Sequence, residues 1–524
     1  MADGDSVCPI SRFPKDIFEE IFLAAAEISL VQSIHNQGNP KVIPEVAISH
    51  VCSSWRDVSL NLPKLWSSIA LYDGYDEMPW LIMKPLGTAR VDQFRAYLER
   101  SKGCLLDMTL WLEISRATPL QSVEGQEETV GLELIRLWLD HLERWKSVRI
   151  KLSYTFTEVI HFLNRQKPTL QGREAPFLEV FEFVTNASTS GNISLTHLNI
   201  PVPASLQRSC SKLNRLSLPS SSFALALPLL VTNNLTGLRI TRVDGHPILC
   251  IPCTTLLSLI QLPNLTALFA EGIMFSGEQV LQRPIATKSL RLLRWHRSDL
   301  VGSRLLSNLH ATALEVLHLQ DMMFEPSFSL KFRFLRLHTL HIKDCLSSRP
   351  GGPAIFNCIR VLGQASPNIR SITFMYHTRV YLHAFVQLLQ DCLCSRGGAE
   401  GPLTKLDRLA IWVERDLLGP GKRLMPVDSE GSDLPWILKL TDLWETAGRS
   451  RSGLFLKMYR DICYEEWAEK VEGSLEHKVL YDQIKRSCRF GYHTDGDFSL
   501  ACEAPNWIVD PVMDYWEGGN AGIS

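Results

Sequence analysis

One spacing of hydrophobic residues recurs through the middle of the chain. Its unit is an apolar residue, two residues of any type, a second apolar residue, one residue of any type and a third apolar residue. The eleven copies are Trp145-Val148-Ile150, Leu178-Phe181-Phe183, Leu195-Leu198-Ile200, Leu213-Leu216-Leu218, Leu235-Leu238-Ile240, Leu265-Leu268-Ala270, Leu290-Leu293-Trp295, Leu314-Leu317-Leu319, Leu337-Leu340-Ile342, Ile369-Ile372-Phe374 and Leu406-Leu409-Ile411. Successive copies start about 26 residues apart on average.

This spacing predicts stacked parallel strands. The last two anchors of a copy are two residues apart, so both lie on the same side of a strand. A repeat period of about 20–29 residues is typical of leucine-rich repeats, whose apolar side is covered by the returning segments. Helical spacing in some of those segments, as in Ile355, Ile359 and Leu362 or from Ile135 to Trp145, predicts helices. We therefore predict an α/β fold with an irregular solenoid. The alternative is a set of strands from unrelated domains.

The N-terminal segment has a different pattern, with apolar residues at helical spacing. Phe13, Ile17, Ile21 and Phe22 form one stripe, and Pro14 suits a first helical turn because its missing N–H is not needed there. A second stripe and a closing segment follow, made of Val46, Val51, Cys52, Trp55, Val58, Leu62, Pro63, Leu65 and Trp66. The polar stretch from Gln32 to Pro44 is predicted to be a loop.

These residues resemble an F-box. The motif elements are Phe13-Pro14-x-x-Ile17-x-x-x-Ile21-Phe22, Val51-Cys52-x-x-Trp55-Arg56 and Leu62-Pro63-x-Leu65-Trp66-x-x-Ile69. The closing Leu-Trp-x-x-Ile resembles that of many fungal F-box-like proteins, which often continue into a leucine-rich-repeat region. Two features depart from the family. Phe13 stands where leucine is usual, and the longer loop prevents an alignment of residues 23–45.

The resemblance implies an adaptor rather than an enzyme. In that family the F-box docks onto the Skp-type subunit of an SCF cullin–RING ubiquitin ligase, and the rest of the chain holds a protein substrate. It implies that the residues contacting the Skp-type subunit are Pro14, Ile17, Ile21, Phe22, Val51, Cys52, Trp55, Leu65 and Trp66. A small helical domain this rich in large apolar groups cannot bury all of them by itself, which agrees with a docking role.

The alternative interpretation is that these side chains are core residues. It applies most strongly to Trp55 and Ile21, which could serve in the core, at the interface or in both. Pro14 and Phe22 are expected at the interface.

A row of basic and aromatic residues is the candidate substrate-binding site. In a leucine-rich solenoid, the position between the last two anchors faces the concave side. Here this position contains Asn199, Ser217, Arg239, Phe269, Arg294, His318, His341, Thr373 and Ala410. The successive residues Arg239, Phe269, Arg294, His318 and His341 could hold an acidic or phosphorylated segment. The alternative is a solvated face with no binding role.

Charge and composition restrict the classes of partner. The 54 basic and 56 acidic residues leave a formal charge of -2, which argues against binding nucleic acid or anionic membranes through bulk charge. No apolar run approaches the ~18 residues that a membrane span needs. The thirteen cysteines show no framework spacing, and Asp3 and Asp5 stand where a secretory signal would be basic. We therefore expect a cytoplasmic or nuclear protein.

Motifs for catalysis or metal binding are weak. Cys250-x-x-Cys253 and Cys392-x-Cys394 lie far apart and lack companion histidines, so no zinc site is expected. Neither H-E-x-x-H nor G-x-S-x-G occurs. We expect no cofactor and no enzymatic activity.

The sequence thus predicts four regions. They are an F-box-like domain at residues 10–71, a helical linker or N-terminal cap at 72–144, the solenoid at 145–420, and a helical C-terminal cap or tail at 421–524. The last region includes predicted helices from Leu434 to Thr446 and from Tyr464 to Ser487, and the tail residues Trp507, Tyr515 and Trp516. The expected function is substrate recognition for an SCF-type ligase. The alternative is a scaffolding repeat protein outside a ligase.

Overall fold

A computed structural model describes much of the chain. The described residues are 13–35, 44–73, 88–113, 130–153, 174–186, 210–219, 234–241, 250–277, 283–296, 300–325, 327–343, 345–347, 354–376, 379–393, 402–413, 434–459, 486 and 488–493. The chain divides into two compact units. Unit 1 comprises residues 1–235 and 242–247, and unit 2 comprises residues 236–241 and 248–524.

Unit 1 begins with helices. They are α1 (Lys15–His35), α2 (Pro44–Val51), α3 (Ser53–Leu60), α4 (Thr88–Arg100) and α5 (Val130–Leu139), with 3₁₀ turns at Pro63–Trp66 and Leu142–Arg144. The carbonyl oxygen of Pro14 accepts hydrogen bonds from the N–H groups of Ile17 and Phe18, so Pro14 immediately precedes α1. Because α1 extends to His35, the predicted loop starts later than expected.

Unit 1 also contains a parallel sheet in chain order. Its strands are β1 (Ser68–Asp73), β2 (Leu106–Glu113), β3 (Trp145–Ser153), β4 (Val180–Asn186) and β5 (Arg215–Pro219). Each pairs with the next in parallel. The predicted copy at Leu195-Leu198-Ile200 lies outside the described residues, and β4 pairs directly with β5.

Unit 2 contains a longer parallel sheet. Its strands, in spatial order, are β6 (Gly237–Thr241), β8 (Ala267–Glu271), β11 (Leu292–His296), β13 (Val316–Gln320), β15 (Thr339–Lys343), β17 (Ser371–Tyr376), β18 (Arg408–Val413), β19 (Leu454–Tyr459) and β20 (Arg489–His493). Shorter parallel pairs are β7 (Cys250–Pro252) with β9 (Met274–Ser276), β10 (Ile285–Thr287) with β12 (Leu309–Ala311), and β14 (Met323–Phe324) with β16 (Leu346–Ser347).

Helices in unit 2 return the chain between strands. They are α6 (Cys253–Ile260), α7 (Leu300–Asn308), α8 (Ala354–Ala365), α9 (Arg379–Leu393) and α10 (Leu434–Thr446). The predicted helix from Leu434 to Thr446 is confirmed, and Ile355, Ile359 and Leu362 lie in α8 as predicted. The predicted helix from Tyr464 to Ser487 lies outside the described residues except at Arg486, and the tail residues Trp507, Tyr515 and Trp516 also lie outside them.

The repeat anchors form the core of each sheet. In β13, for example, Leu317 and Leu319 are fully buried, and Leu314 is buried in the turn before the strand. The predicted α/β fold with a long parallel sheet and helical returns is confirmed at this level. Its physical basis is the spacing of the anchors, which places every second strand residue on the same side.

Strands also occur beyond the predicted repeat region. Strand β2 lies in the segment expected to be a helical linker, and β19 and β20 lie in the expected helical cap. Close packing helps to extend the sheet to β19, because a side chain at Gly453 would overlap the carbonyl oxygen of Asp407. Trp145, which continues the helical stripe of α5, is the first residue of β3 instead.

Candidate functional site

Helix α1 has two apolar sides, of which one is buried and the other is exposed to solvent. Phe22 is 1% exposed and its neighbour Ile21 is 47% exposed. Phe18 is buried like Phe22, whereas Phe13 and Ile17 are exposed like Ile21. Ile17 and Ile21 are spaced by four and therefore share one side of the helix, and Phe13 lies two residues before the helix begins. Helix α1 thus leaves Ile17 and Ile21 exposed while it buries Phe18 and Phe22.

Trp55 of α3 is the contact that buries the inner side of α1. Its ring centroid lies 5.8 Å from that of Phe18 and 5.1 Å from that of Phe22. Such tilted and edge-on pairs stabilise a small core beyond the area they bury. Trp55 itself is only partly buried.

The junction of α2 and α3 exposes a fourth large apolar side chain. Val51, the last residue of α2, is 59% exposed. Cys52 separates the two helices and caps α3, because its Sγ accepts a hydrogen bond from the N–H of Trp55 at 3.5 Å. The Nε of Arg56 donates to the carbonyl oxygen of Ser49 at 2.9 Å and ties the helices together. The tight junction thus leaves Val51 and Cys52 outside.

We call Phe13, Ile17, Ile21 and Val51 the exposed apolar group. Single exposed hydrophobic residues are ordinary on protein surfaces. The described residues contain eight exposed large hydrophobic side chains, however, and half of them belong to residues 13–60, which we call the helical segment. This concentration makes residues 13–60 the candidate interaction segment of the part of the chain that the structure describes.

The closing Leu65 and Trp66 have a different role, which is to attach the helical segment to the rest of unit 1. Both are buried, and the indole Nε1 of Trp66 donates to the carbonyl oxygen of Ser59 at 2.7 Å. The Trp66 ring lies 5.1 Å from the ring of Tyr97, and the Arg100 guanidinium lies 4.4 Å above it. The residues between α3 and β1 therefore pack tightly on α4.

A buried hydrogen bond strengthens this attachment. The hydroxyl of Tyr97 donates to Oε1 of Glu45 at 2.6 Å, and both residues are buried. Burial raises the pKa of the Glu45 carboxyl, and the hydrogen bond from Tyr97 opposes that rise. Burial also raises the pKa of Tyr97. The pair links the first turn of α2 to α4.

The nine residues predicted to contact the adaptor subunit thus fall into three sets. Pro14, Ile17, Ile21, Val51 and Cys52 are exposed, Trp55 is partly exposed, and Phe22, Leu65 and Trp66 are buried. Phe22, which we expected at the interface, packs in the core, while Ile21, for which a core role was an alternative, lies on the surface. Phe13 was missing from the predicted set. Its spacing of four from Ile17 is the signal that would have included it.

The predicted substrate-binding row lies along one line of the unit-2 sheet. Its members are aligned by strand register: Arg239 pairs with Phe269, Phe269 with Arg294, Arg294 with His318, and His318 with His341. We call these five residues the charged row. It lies on the side of the sheet opposite the buried anchors, because neighbouring residues of a strand point to opposite sides.

Arg239 is buried beside a carboxylate. It is 7% exposed, and its Nη2 lies 3.3 Å from Oε1 of Glu271. Burial alone would raise the pKa of Glu271, but Arg239, Arg294 and His296 together hold it below its ordinary value. The Glu271 carboxylate is therefore charged at neutral pH and balances Arg239.

The two histidines of the row are buried and uncharged at neutral pH. Burial, with a further contribution from Arg294, lowers the pKa of His341 to about 4, and burial lowers the pKa of His318 well below its ordinary value. Their ring centroids are 5.5 Å apart. His318 and His341 thus add shape rather than positive charge to this face.

Two further side-chain contacts lie near the row. The Nε2 of His296 lies 3.0 Å from Oδ2 of Asp321, a residue with a left-handed φ of 48° directly after β13. The guanidinium of Arg408 lies 4.9 Å from the centre of the Phe455 ring.

Within the row, accessibility differs from the expectation of an open face. Phe269 and Arg294 are partly exposed, whereas Arg239, His318 and His341 are buried. Sequence reasoning found no acid in the row because Glu271 lies one position after the last anchor of its copy. A survey of that position in every copy would have found Glu271. In unit 1, Glu182 occupies the row position itself and pairs with Arg149 at 3.3 Å.

The described residues contain no group of histidine, cysteine, aspartate and glutamate side chains that could hold a metal ion. In the same residues, no helix is long and apolar enough to cross a membrane. No protein-family model matches the chain, and no curated protein matches it significantly.

Proposed function

We propose that this chain is the substrate-recognition adaptor of an SCF-type cullin–RING ubiquitin ligase. Its helical segment binds the Skp-type subunit, and its parallel sheets, as a leucine-rich-repeat-like solenoid, hold a protein substrate. The chain itself performs no catalysis. Its contribution is to raise the effective concentration of the substrate near the ligase. The proposal puts the protein in the cytoplasm or the nucleus, where such ligases act.

The observation that supports the proposal most is the exposed apolar group. Full burial of one such side chain contributes roughly 1.5–3 kcal/mol. Because each is only about half exposed, burying all four would contribute at most roughly 4 kcal/mol before the costs of association. A micromolar complex requires about 8 kcal/mol, so Pro14, Cys52 and polar contacts at the rim must add to the interface.

The attachment through Trp66 also supports an adaptor role. A receptor positions its substrate only if the docking segment keeps a fixed orientation relative to the strands that follow it. Trp66, Tyr97, Arg100 and Glu45 provide such a joint between the helical segment and α4.

Co-purification tests the proposal. The whole 524-residue chain, expressed with a tag in a fungal cell, should recover both the Skp-type subunit and the cullin. Ile21→Asp should lose both, since the substitution adds a charge that must be desolvated at the interface. The matched control is Leu335→Asp, at an exposed leucine of unit 2, which should behave as the wild type.

Two outcomes would contradict the proposal. Equal recovery of the Skp-type subunit by Ile21→Asp would reject the exposed apolar group as the docking site. Failure of the folded wild type to bind, or recovery of the Skp-type subunit without cullin, would instead favour a scaffolding protein.

A further inference from the structure

The return segment that precedes β15 carries a run of basic residues on its solvent side. Residues 327–338 contain no aspartate or glutamate. Their exposed cations are Lys331, Arg333 and Arg336. The aromatic residues between these cations hold the segment in place, because Phe334 is fully buried and the partly buried Phe332 stacks on His310 with 4.9 Å between ring centroids. The segment therefore presents its basic side chains to solvent.

Two neighbouring repeats bring further cations to the same edge of the unit-2 sheet, where the strands begin. The N–H of Arg370 donates to the carbonyl oxygen of His338 at 2.9 Å, so Arg370 lies one strand away from the segment. The Nδ2 of Asn368 donates to the carbonyl oxygen of Leu335 at 2.6 Å, and the Nζ of Lys405 donates to Oδ1 of Asn368 at 2.7 Å. Lys405 precedes β18, which is two strand spacings, roughly 10 Å, from β15.

We call these five cations the basic edge. Its members, all exposed, are Lys331, Arg333, Arg336, Arg370 and Lys405. In the part of the chain that the structure describes, the side chains of the first four form no ion pair or hydrogen bond, and the fifth bonds to the neutral Asn368. The charges of the basic edge are therefore not used within the fold.

Nearby acids do not neutralise the basic edge. Glu315 pairs with Arg291 at 2.7 Å, and Glu325 pairs with Arg304 at 3.2 Å. On the described stretches 327–338, 366–371 and 402–408, the acid present is the exposed Asp407. Five cations thus share this edge with one further carboxylate, although the chain as a whole has a charge of -2.

An exposed leucine lies among these cations and restricts the kind of partner. Leu335 is 56% exposed and stands between Arg333 and Arg336 in the segment. A nucleic-acid backbone would leave Leu335 uncovered and would bring phosphates towards the carboxylate of Asp407. A polypeptide with an apolar residue among acidic residues complements both the charges and the leucine.

We propose that the basic edge binds an acidic segment of a partner protein, with an apolar residue of that segment packed on Leu335. Each ion pair at such an exposed site is weak, so affinity requires several of them together and falls with salt. The excess of cations also accelerates the encounter with an acidic partner. The basic edge belongs to unit 2, whereas the exposed apolar group belongs to unit 1, so this site goes beyond the proposed function.

Fluorescence anisotropy with defined peptides tests this assignment. The whole 524-residue chain is titrated into a labelled peptide of about twelve residues that contains aspartate and glutamate around one central leucine. We expect binding that weakens about tenfold between about 50 and about 200 mM salt. A peptide of equal charge with serine in place of the leucine should bind about fivefold more weakly, as expected for the partial burial of one leucine.

Charge reversal locates the site. Arg333→Glu combined with Arg336→Glu should weaken binding at least about tenfold, because each substitution replaces an attraction by a repulsion. The matched control is Lys64→Glu combined with Lys102→Glu, which changes two exposed lysines of unit 1, gives the same net charge and should bind like the wild type. If the double reversal at the basic edge does not fold, Arg336→Gln alone should still weaken binding about threefold.

Leu335→Asp separates this site from the docking of the Skp-type subunit. The variant should bind the leucine peptide at least about fivefold more weakly, since it removes the apolar contact and adds a negative charge. Its binding of the Skp-type subunit should be unchanged.

Absence of binding by the wild type, or an equal loss in the basic-edge variant and the unit-1 control, would overturn the proposal. Equal affinity for the leucine and serine peptides would do the same, because Leu335 would then take no part. Tighter binding of a single-stranded RNA of similar charge would assign the basic edge to nucleic acid and would also overturn it. Because no Skp-type subunit is present in the titration, peptide binding together with failed adaptor binding would contradict only the proposed function.

Discussion

The helical segment and the unit-2 sheet reverse the usual relation between polarity and burial. The exposed apolar group leaves Ile21 and Val51 in solvent, while the sheet buries Arg239, His318 and His341. Most structural residues do the opposite. The comparison shows that each site departs from the rule for a different reason. In our proposal the exposed apolar residues are covered by a partner, whereas the buried Arg239 is balanced by Glu271 within the sheet.

The two regions also differ in how their side chains affect the folding stability of the isolated protein. Exposed apolar residues change folding stability little, since they remain in water in both the folded and the unfolded state. Buried charges lose hydration on folding and depend on neighbours such as Glu271 to compensate. Substitutions should therefore affect binding in the helical segment and stability in the sheet.

Adjacent residues of α1 provide the largest contrast. Phe22→Ala should lower the free energy of unfolding by about 3–5 kcal/mol, because it leaves a cavity beside Trp55. Ile21→Ala should change it by less than about 0.5 kcal/mol while weakening the binding of the Skp-type subunit. Denaturant unfolding of both variants checks this prediction. Equal destabilisation would mean that the two sides of α1 are not distinct.

The next largest effect on stability is expected at the Arg239–Glu271 pair. Glu271→Leu should cost about 3 kcal/mol, since the buried Arg239 then lacks its principal counter-charge. Arg239→Leu combined with Glu271→Leu should recover much of that loss. A double-mutant cycle by chemical denaturation measures the coupling. Additive costs of the single substitutions would show that the pair is not coupled.

A smaller effect concerns pH and His341. In the folded protein its pKa is lowered from 6.5 to about 4 by burial, with Arg294 and Arg408 adding to the shift, so the unfolded chain binds a proton first as pH falls. Stability from this group is therefore constant above pH 6.5 and is lost between 6.5 and about 4. From pH 7 to pH 5 the loss is about 2 kcal/mol.

Thermal unfolding across this pH range tests both the direction of the pH dependence and its assignment to His341. His341→Gln should lose less stability on acidification than the wild type, and the exposed His338→Gln should match the wild type. A variant at His341 with an unchanged pH dependence would show that the buried histidine does not stay neutral.

The smallest effect on stability comes from modification of Cys52. It is exposed beside Val51, whereas burial raises the pKa of both Cys392 and Cys488 to about 11 and makes them less reactive. A bulky maleimide should therefore label Cys52 in the folded protein, shift unfolding by less than about 0.5 kcal/mol, and block the Skp-type subunit. Cys52→Ser should bind in the presence of the reagent. If labelled wild type binds normally, Cys52 lies outside the interface.

Much of the fold could be predicted because repeat anchors have a strict spacing. Leu317 and Leu319 must share one side of a strand, and helical spacing in α8 and α10 is equally direct. Strand β1 was missed although Trp66, Ile69 and Leu71 have the same spacing as the repeats. These residues also fit the F-box-like motif, and that interpretation accounts for them without predicting a strand.

The details of both sites could not be predicted, since they depend on tertiary neighbours. Phe22 and Ile21 are consecutive apolar residues of one helix, and only the position of Trp55 decides which is buried. Likewise, the balance of Arg239 by Glu271 depends on strand register across a separation of 32 residues. The sequence shows that Glu271 is present, but neither its contact with Arg239 nor the burial of Phe22 can be derived from local sequence.

One measurement tests the central claim most directly, namely a calorimetric titration of the whole 524-residue chain with a purified fungal Skp-type subunit. We predict that Ile17→Asp combined with Ile21→Asp weakens the affinity at least about a hundredfold, with an unchanged unfolding temperature, while Leu335→Asp binds like the wild type. Equal affinity of the double variant and the wild type would contradict the account.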